Sequence, residues 1–361
     1  MGKSAVKGLF YICLIAATFV LATITIMAAF SGNVAPVDSV IMPLLGLAVP
    51  VLLIVNLITA LCWALARKRW ALVPLVAFFC NWGYLTSVFQ LHLPKDKTPA
   101  GKYLKIATYN IHNFGGEITG YSCKEIARYM QQEGVDVLCF QEFGDNSDFP
   151  TDSIRRVLSH WSHALIPSED SVKGVLPIAV FSRYPLANHR FITYQHSSNC
   201  SMMCDVVMGT DTIRLINNHL QTTSVSQKRR KWERELATDD TRREVQAAKD
   251  AAGTLHENFM KRATQTYVIS HYAKTSPYPV LLCGDFNSIP SSYTYHHLRK
   301  TLKDGFRTAG NGYMYTYRYA KRMLRNDYIF HSPSLKGIAY YSPDLDLCSD
   351  HNPVIMEVEI Q

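Results

Sequence analysis

SPYPVLLCGDFN, residues 276–287, is the stretch on which the reading of this chain turns. Residues 279–283 (PVLLC) form a short apolar run of the kind that makes a strand buried on both faces. The run stops abruptly at Gly284, Asp285, Phe286 and Asn287. A carboxylate and an amide therefore stand where a buried strand leaves its sheet. Groups at strand ends that share one sheet edge can converge on a single cleft.

The same arrangement recurs on both sides of this stretch. Residues 104–109 (LKIATY) lead into Asn110, and residues 135–140 (VDVLCF) are followed by Gln141 and Glu142. A strand over 213–219 ends on Asn217, Asn218 and His219, Asp327 opens the strand DYIF, and Asp350 and His351 precede a strand over 354–360. Each residue has an ordinary reading when taken singly. Asn110 serves as a turn residue, Glu142 as a solvated strand end, and Asp285 as an acceptor within its own loop. A lone His219 is more often structural than catalytic. Taken together, the ordinary readings require six unrelated accidents, each at an apolar strand end. Further strands are expected over 177–181 and 204–208. Helices are expected over 122–132, with Ser122 and Glu125 in capping-box spacing, and over 153–160. A charged, helix-prone stretch over 227–273 should break near Gly253. Strands interleaved with helices indicate an α/β protein, a sheet core covered by helices.

The ordered set TYN, QE, NHL, GDFN, NDYIF and SDH resembles the endonuclease/exonuclease/phosphatase superfamily, which includes deoxyribonuclease I, neutral sphingomyelinases and inositol polyphosphate 5-phosphatases. The resemblance runs from about residue 104 to the C-terminus. It implies a four-layer αββα sandwich of the deoxyribonuclease I type and a metal-dependent phosphoesterase, in which water attacks phosphorus in line. It also implies roles. Glu142, with Asn110 beside it and Asp350 near the phosphate, would hold Mg²⁺ or Mn²⁺, whose preference is for hard oxygen ligands. Asp285 and Asn287 would position water and phosphate. His219 and His351 would flank the phosphate, with Asp327 orienting His351. By rough position, Glu169 and Asp170 are the candidates for an acid supporting His219. Two departures stand out. His112 occupies a position where some members carry an acid, which argues against an exonuclease III-like assignment. Arg325 and Asn326 precede Asp327 where an apolar residue is usual.

The N-terminal quarter has a different composition. Residues 9–30, 40–66 and 70–93 carry no formal charge. Crossing a bilayer takes about 20 apolar residues as helix, and soluble helices of this length show a polar face. Three transmembrane helices are therefore expected, over about 9–30, 41–65 and 71–92, within an anchor of residues 1–93. Trp63, Trp70, Trp82 and Tyr84 fall near the expected ends, as interfacial aromatics do. Lys3 and Lys7 precede the first span and Arg67, Lys68 and Arg69 fill the loop after the second, whereas residues 31–39 hold no Lys or Arg. Basic flanks stay cytoplasmic, so the catalytic domain is expected on the non-cytoplasmic side, the periplasm in a bacterium. Residues 94–101 (PKDKTPAG) read as a linker and 102–361 as the catalytic domain, with a charged helical insertion over about 226–260 containing the run KRRKWERE.

Charge and cysteine content narrow the classes further. The formal net charge is +8, of which residues 1–92 contribute +4. The remainder is only mildly basic, less than the dense basic stripe of a nonspecific DNA binder. None of the nine cysteines shows paired C-x-x-C spacing, so a zinc site is not expected. Cys200 and Cys204 are close in sequence, but proximity alone does not fix disulfide geometry, and unpaired thiols are the expectation. Spans without an internal charge offer no ion path, which disfavours a channel. The partners expected are the lipid bilayer and a phosphate-ester substrate, either nucleic acid (a nuclease) or a lipid headgroup (a sphingomyelinase-like enzyme). The intact polar set argues against an inert binding module, and no protein partner is inferable.

Overall fold

The structure is a computed structural model and describes residues 3–92, 101–167, 174–223 and 241–360. The linker apart from Gly101, Glu169 and Asp170, and residues 226–240 of the insertion with the KRRKWERE run lie outside the described residues.

Two helices, α1 (Lys3–Ala29) and α2 (Ile41–Leu65), belong to segments long and apolar enough to cross a membrane. Their outer faces are apolar, with Phe10, Ile12, Ile54 and Leu61 exposed, as lipid-facing positions must be. The third expected span is not one helix. It is α3 (Leu72–Cys80) and α4 (Trp82–Val88), preceded by a short 3₁₀ turn and bent by 63°. The break falls at Asn81, whose amide donates to the carbonyls of Thr25 and Ala77. Pro50, by contrast, sits inside α2 without ending it. Trp63 and Tyr84, expected near the span ends, are buried against neighbouring helices. Trp63 Nε1 donates to Thr18 Oγ1 at 2.9 Å, pinning α2 to α1.

The rest is a sandwich of two six-stranded sheets. One has the order β10 (Lys303–Asp304), β12 (Asp327–His331), β9 (Val280–Asp285), β8 (Asp211–His219), β7 (Cys200–Met208), β6 (Leu186–Thr193). The other runs β13 (Leu335–Tyr341), β14 (Val354–Ile360), β2 (Lys102–Asn110), β3 (Val137–Gln141), β5 (Ile178–Ser182), β4 (His163–Leu165). Alternate residues of each strand face opposite ways. Leu104, Ile106, Val137 and Cys139 meet Cys204, Leu215, Leu281 and Cys283 between the sheets. Tyr109, Leu138 and Phe140 turn outward to α5 (Tyr121–Gln132) and α6 (Thr151–Val157). Ile216, Leu282 and Phe330 turn outward to α7 (Thr241–Lys274) and α8 (Tyr293–Leu298). Burial on both faces explains the continuous apolar runs in the sequence, and each such side chain contributes about 1.5–3 kcal/mol.

Some local expectations fail for identifiable reasons. No capping box forms at α5. The helix starts at Tyr121 after Gly120 in the left-handed region, and Glu117, not Glu125, accepts from the Ser122 amide. Helix α7 runs through Gly253 without a break, since an isolated glycine costs a helix only about 1 kcal/mol. Cys200 and Cys204 remain free, buried thiols.

The sandwich is docked closely on the apolar N-terminal helices. Ser31 Oγ donates to the Ser291 carbonyl (2.9 Å), and Ser291 Oγ donates to the Gly46 carbonyl (2.7 Å). The two-residue strand β1 (Phe89–Gln90), which follows α4 directly, pairs antiparallel with β11 (Gly312–Tyr313). Arg325 Nη1 donates to the Ser87 carbonyl (2.9 Å) while the same guanidinium grips Asp304, both side chains being fully buried.

Candidate active site

Strand register decides what meets at the sheet edge. β2 and β3 are parallel, with Asn110 opposite Gln141. β8 and β9 are parallel, with His219 opposite Asp285, and antiparallel β12 sets Asp327 opposite Asp285. Five strands therefore end or begin at one edge. Gly284 makes this close approach feasible. Its φ is +132°, and a Cβ there would lie 1.9 Å from the Asn218 carbonyl oxygen.

Asp285 is the hub. Its Oδ1 accepts from the Asn287 amide at 2.8 Å. Its Oδ2 lies 3.2 Å from Asn110 Nδ2, 3.7 Å from His351 Nε2 and 3.8 Å from His219 Nε2. Asn110 Nδ2 also donates to Glu142 Oε1 at 3.0 Å. Glu142 adopts φ +49° immediately after β3, a conformation rare for a non-glycine residue and typical of sites where strain is retained for function. Its other oxygen lies 3.1 Å from His112 Nδ1, so His112 borders the cleft. Glu142 is partly open to solvent, whereas Asp285 and His219 are buried.

The two histidines differ in charge state. Burial lowers the His219 pKa, and the charges of Asp285 and Glu142 offset this only in part, so the ring stays neutral. Neither of its nitrogens has a hydrogen-bond partner among the described residues, although Glu142 Oε1 is 3.7 Å away. His351 is the opposite case. Burial alone would lower its pKa, but the Asp327 and Asp285 charges and a 2.8 Å bond from Nδ1 to Asp327 Oδ2 raise it. Asp327 is itself fixed by Thr316, whose Oγ1 accepts from the Asn326 and Asp327 amides.

The remaining expected residues lie farther out. Asn287 has φ +47° and turns its amide to the Leu220 carbonyl at 3.0 Å, not into the carboxylate cluster. Asp350 Oδ1 lies 3.9 Å from His351 Nε2, and burial, followed by the Asp350 charge, raises the pKa of the Tyr317 hydroxyl. The described residues whose ligand atoms lie within 4.8 Å of one another, as a metal would require, are Asp285, Asp327 and His351. Glu142 adds a carboxylate partly open to solvent, and buried Asn110 lies beside it, its Nδ2 facing Glu142 and Asp285 and its Oδ1 accepting from the His112 amide. Asp327 Oδ1, buried and without a partner among the described residues, adds an unsatisfied oxygen. This oxygen-rich, anionic, partly open donor set fits a divalent cation.

Two residues of the site give little sign in the sequence. Tyr317 packs on the His351 ring, with centroids 5.2 Å apart. Its signal is the alternation in residues 312–319 (GYMYTYRY). Arg262 of α7 is buried, 3.4 Å from both Thr223 Oγ1 and Ser288 Oγ. Burial lowers its pKa to about 10, leaving it cationic at neutral pH within the field of Asp285. One arginine in a charged helix carries no pattern that marks it.

A family model described as the Endonuclease/Exonuclease/phosphatase family matches residues 107–351, and a domain of unknown function matches residues 9–88. No curated protein matches the chain. Among solved structures, TDP2 from Caenorhabditis elegans is similar over 73% of this chain and 78% of its own, at 17% identity and a TM-score of 0.52. An endonuclease/exonuclease/phosphatase from Bacteroides vulgatus is similar over 72% of this chain and 100% of its own, at 15% identity and a TM-score of 0.52. Another, from Beutenbergia cavernae, is similar over 72% of each chain, at 17% identity and a TM-score of 0.51. At these identities the likeness speaks for the sandwich fold.

Proposed function

The chain belongs to the endonuclease/exonuclease/phosphatase family, and from that premise we propose that this hydrolase of phosphoric esters is a membrane-tethered, Mg²⁺- or Mn²⁺-dependent phosphodiesterase or phosphomonoesterase. The observation that carries the reading is the position of Asp285 Oδ2 between two imidazoles and the Asn110–Glu142 pair.

In this reading Glu142, with Asn110 and Asp350, would hold the cation, while Asp285, Asp327 and His351, whose ligand atoms lie within 4.8 Å of one another, serve the water and the phosphate. When bound, the cation supplies Lewis-acid polarisation of the phosphoryl oxygens. The protein's own groups account for the rest. Asp285 accepts a proton from the attacking water and orients it, with the Asn287 backbone amide fixing the carboxylate. His351, protonated and held by Asp327, directs Nε2–H at the charge that builds on phosphate. Neutral His219 faces the same carboxylate and offers a hydrogen bond without adding charge.

For placement, the reading is a three-pass anchor (residues 1–93, the third pass bent at Asn81) carrying the catalytic domain (102–361) on the non-cytoplasmic side. The basic flanks support it. So does the contact of the loop after α1 with the sandwich: Ser31 bonds Ser291, and the Pro36 carbonyl lies 2.9 Å from His256 Nε2. These contacts support a reading in which the outer loop and the catalytic domain lie on one side.

The test is hydrolysis of bis(p-nitrophenyl) phosphate and p-nitrophenyl phosphate by the detergent-solubilised full chain. Activity is expected to vanish in EDTA and to return with Mg²⁺ or Mn²⁺. A chain inert toward both esters with either metal contradicts the reading.

A further inference from the structure

Residues 312–317 of the run GYMYTYRY (312–319) lead from the apolar N-terminal helices to His351, paired with β1 at one end and bridged to His351 at the other, and the chain bends at Arg318 and Tyr319. At the lower end Tyr313 of β11 stands opposite Phe89 of β1, immediately after α4. At the upper end Tyr317 packs on His351 at 5.2 Å and forms backbone bridges to Leu324 and His351. Met314 and Thr316 between them are buried, at 4% and 0% exposure. In extended chain the residues on either side of an inward one point outward, so Tyr313, Tyr315 and Tyr317 share the outer face, and Tyr319, beyond the bend at Arg318, lies beside Tyr317. Tyr313 and Tyr319 are 52% and 66% exposed. The rings lie in two neighbouring pairs, Tyr313 with Tyr315 at 6.2 Å and Tyr317 with Tyr319 at 5.8 Å.

Neither the core nor the proposed chemistry needs two exposed and two half-buried tyrosines in a row. Length gives the ladder meaning. Four residues of extended chain cover roughly 13 Å, so His351 stands one short strand above the end of a membrane helix. Phe89 (49% exposed) and Leu91 (79%) flank the foot of the ladder with apolar surface. Tyrosine, with an apolar ring and a polar tip, concentrates at the bilayer interface for that reason. Exposed Lys321 follows Tyr319 and offers a cation to an anionic headgroup, while Arg322 lies over the Tyr315 ring and pairs with Asp344 at 3.4 Å.

We propose that the tyrosine ladder is the path by which a phospholipid-type amphiphile, still seated in the bilayer, presents its phosphate ester to His351. This rests on the hydrolase reading and names its substrate class. The water oxygen bonds to phosphorus, the P–O bond to the lipid alcohol breaks, and the water proton ends on that alcohol. Nothing beyond lipid and water is consumed. A nucleic acid would have no reason to approach from the interface, where the ladder begins.

The test uses the full chain in vesicles of phosphatidylethanolamine and phosphatidylglycerol with Mg²⁺, following headgroup phosphate release by ³¹P NMR. Bis(p-nitrophenyl) phosphate and a single-stranded oligodeoxynucleotide are assayed in parallel. The expected result is lipid turnover in the wild type, with the ratio of lipid to soluble-ester turnover falling at least tenfold in Tyr313→Ser/Tyr319→Ser, chiefly through KM. Tyr313→Phe/Tyr319→Phe should recover most of that ratio. Turnover of the soluble ester or the oligonucleotide without lipid turnover overturns the ladder's role while leaving the hydrolase reading standing, as does an unchanged ratio in the serine variant. A chain inactive on all three, and on p-nitrophenyl phosphate as well, overturns both.

Discussion

Asp285 Oδ2 and Asn110 Nδ2 lie 3.2 Å apart, joining the carboxyl ends of two strands that belong to different sheets. Because Asp285 also faces both imidazoles, Asp285→Asn removes the acceptor for the water proton without changing side-chain volume. A positioned acid or base contributes about 10²–10⁴-fold. The variant's kcat on bis(p-nitrophenyl) phosphate should fall within that range while its melting temperature stays near wild type. A fall below about tenfold removes Asp285 from proton transfer.

The 2.8 Å bond between His351 and Asp327 makes the pair one unit. Asp327→Asn and His351→Gln should each lower kcat strongly, and the double variant should be little worse than the worse single variant. Multiplicative losses across the cycle would show that the two act independently.

Gly284 takes φ +132° with the Asn218 carbonyl 1.9 Å from where a Cβ would stand. Gly284→Ala must either strain the backbone or push β8 from β9. It should cost about 3 kcal/mol or more in denaturant unfolding. A loss under about 1 kcal/mol would mean that the two strand ends can separate freely.

Asp304 and Arg325 form a fully buried ion pair beneath the anchor contact. Burial alone would raise the Asp304 pKa, but the Arg325 charge and hydrogen bonds from Arg325, Tyr295 and the Phe306 amide lower it. A carboxyl depressed in the folded state adds stability above its unfolded pKa, about 3.9, and loses it as pH falls through the folded value. The wild type should therefore lose this contribution only below about pH 4. Asp304→Asn, which strands a buried cation, should cost about 3–5 kcal/mol at neutral pH. Equal stability of variant and wild type at pH 7 contradicts this.

The residues that meet at the site were legible because buried parallel strands read as unbroken apolar runs. Asn110, Glu142, His219 and Asp285 stand where such runs stop. Their convergence comes from register, such as His219 opposite Asp285, which no single run displays. Less was legible where pattern and structure part company. Strand β6 is largely exposed, with a bulge between Ala187 and Arg190, and β13 has one between Gly337 and Ala339, so neither alternates cleanly. The bend at Asn81 depends on a bond to Thr25 of another helix, and hydropathy does not register it. Arg262 lies far from the motifs in sequence and reaches Ser288 only through the packing of α7.

The most direct test of the account is the Mg²⁺ dependence of kcat for phosphodiester hydrolysis by the full chain, wild type against Glu142→Gln. Glu142 presents one oxygen to Asn110 at 3.0 Å from a strained backbone at the cleft mouth. The wild type should be inactive in EDTA and saturate with added Mg²⁺. The folded variant should need far more metal and turn over at least about 100-fold more slowly. Full wild-type activity in EDTA, or a variant with an unchanged metal titration, would contradict the central claim.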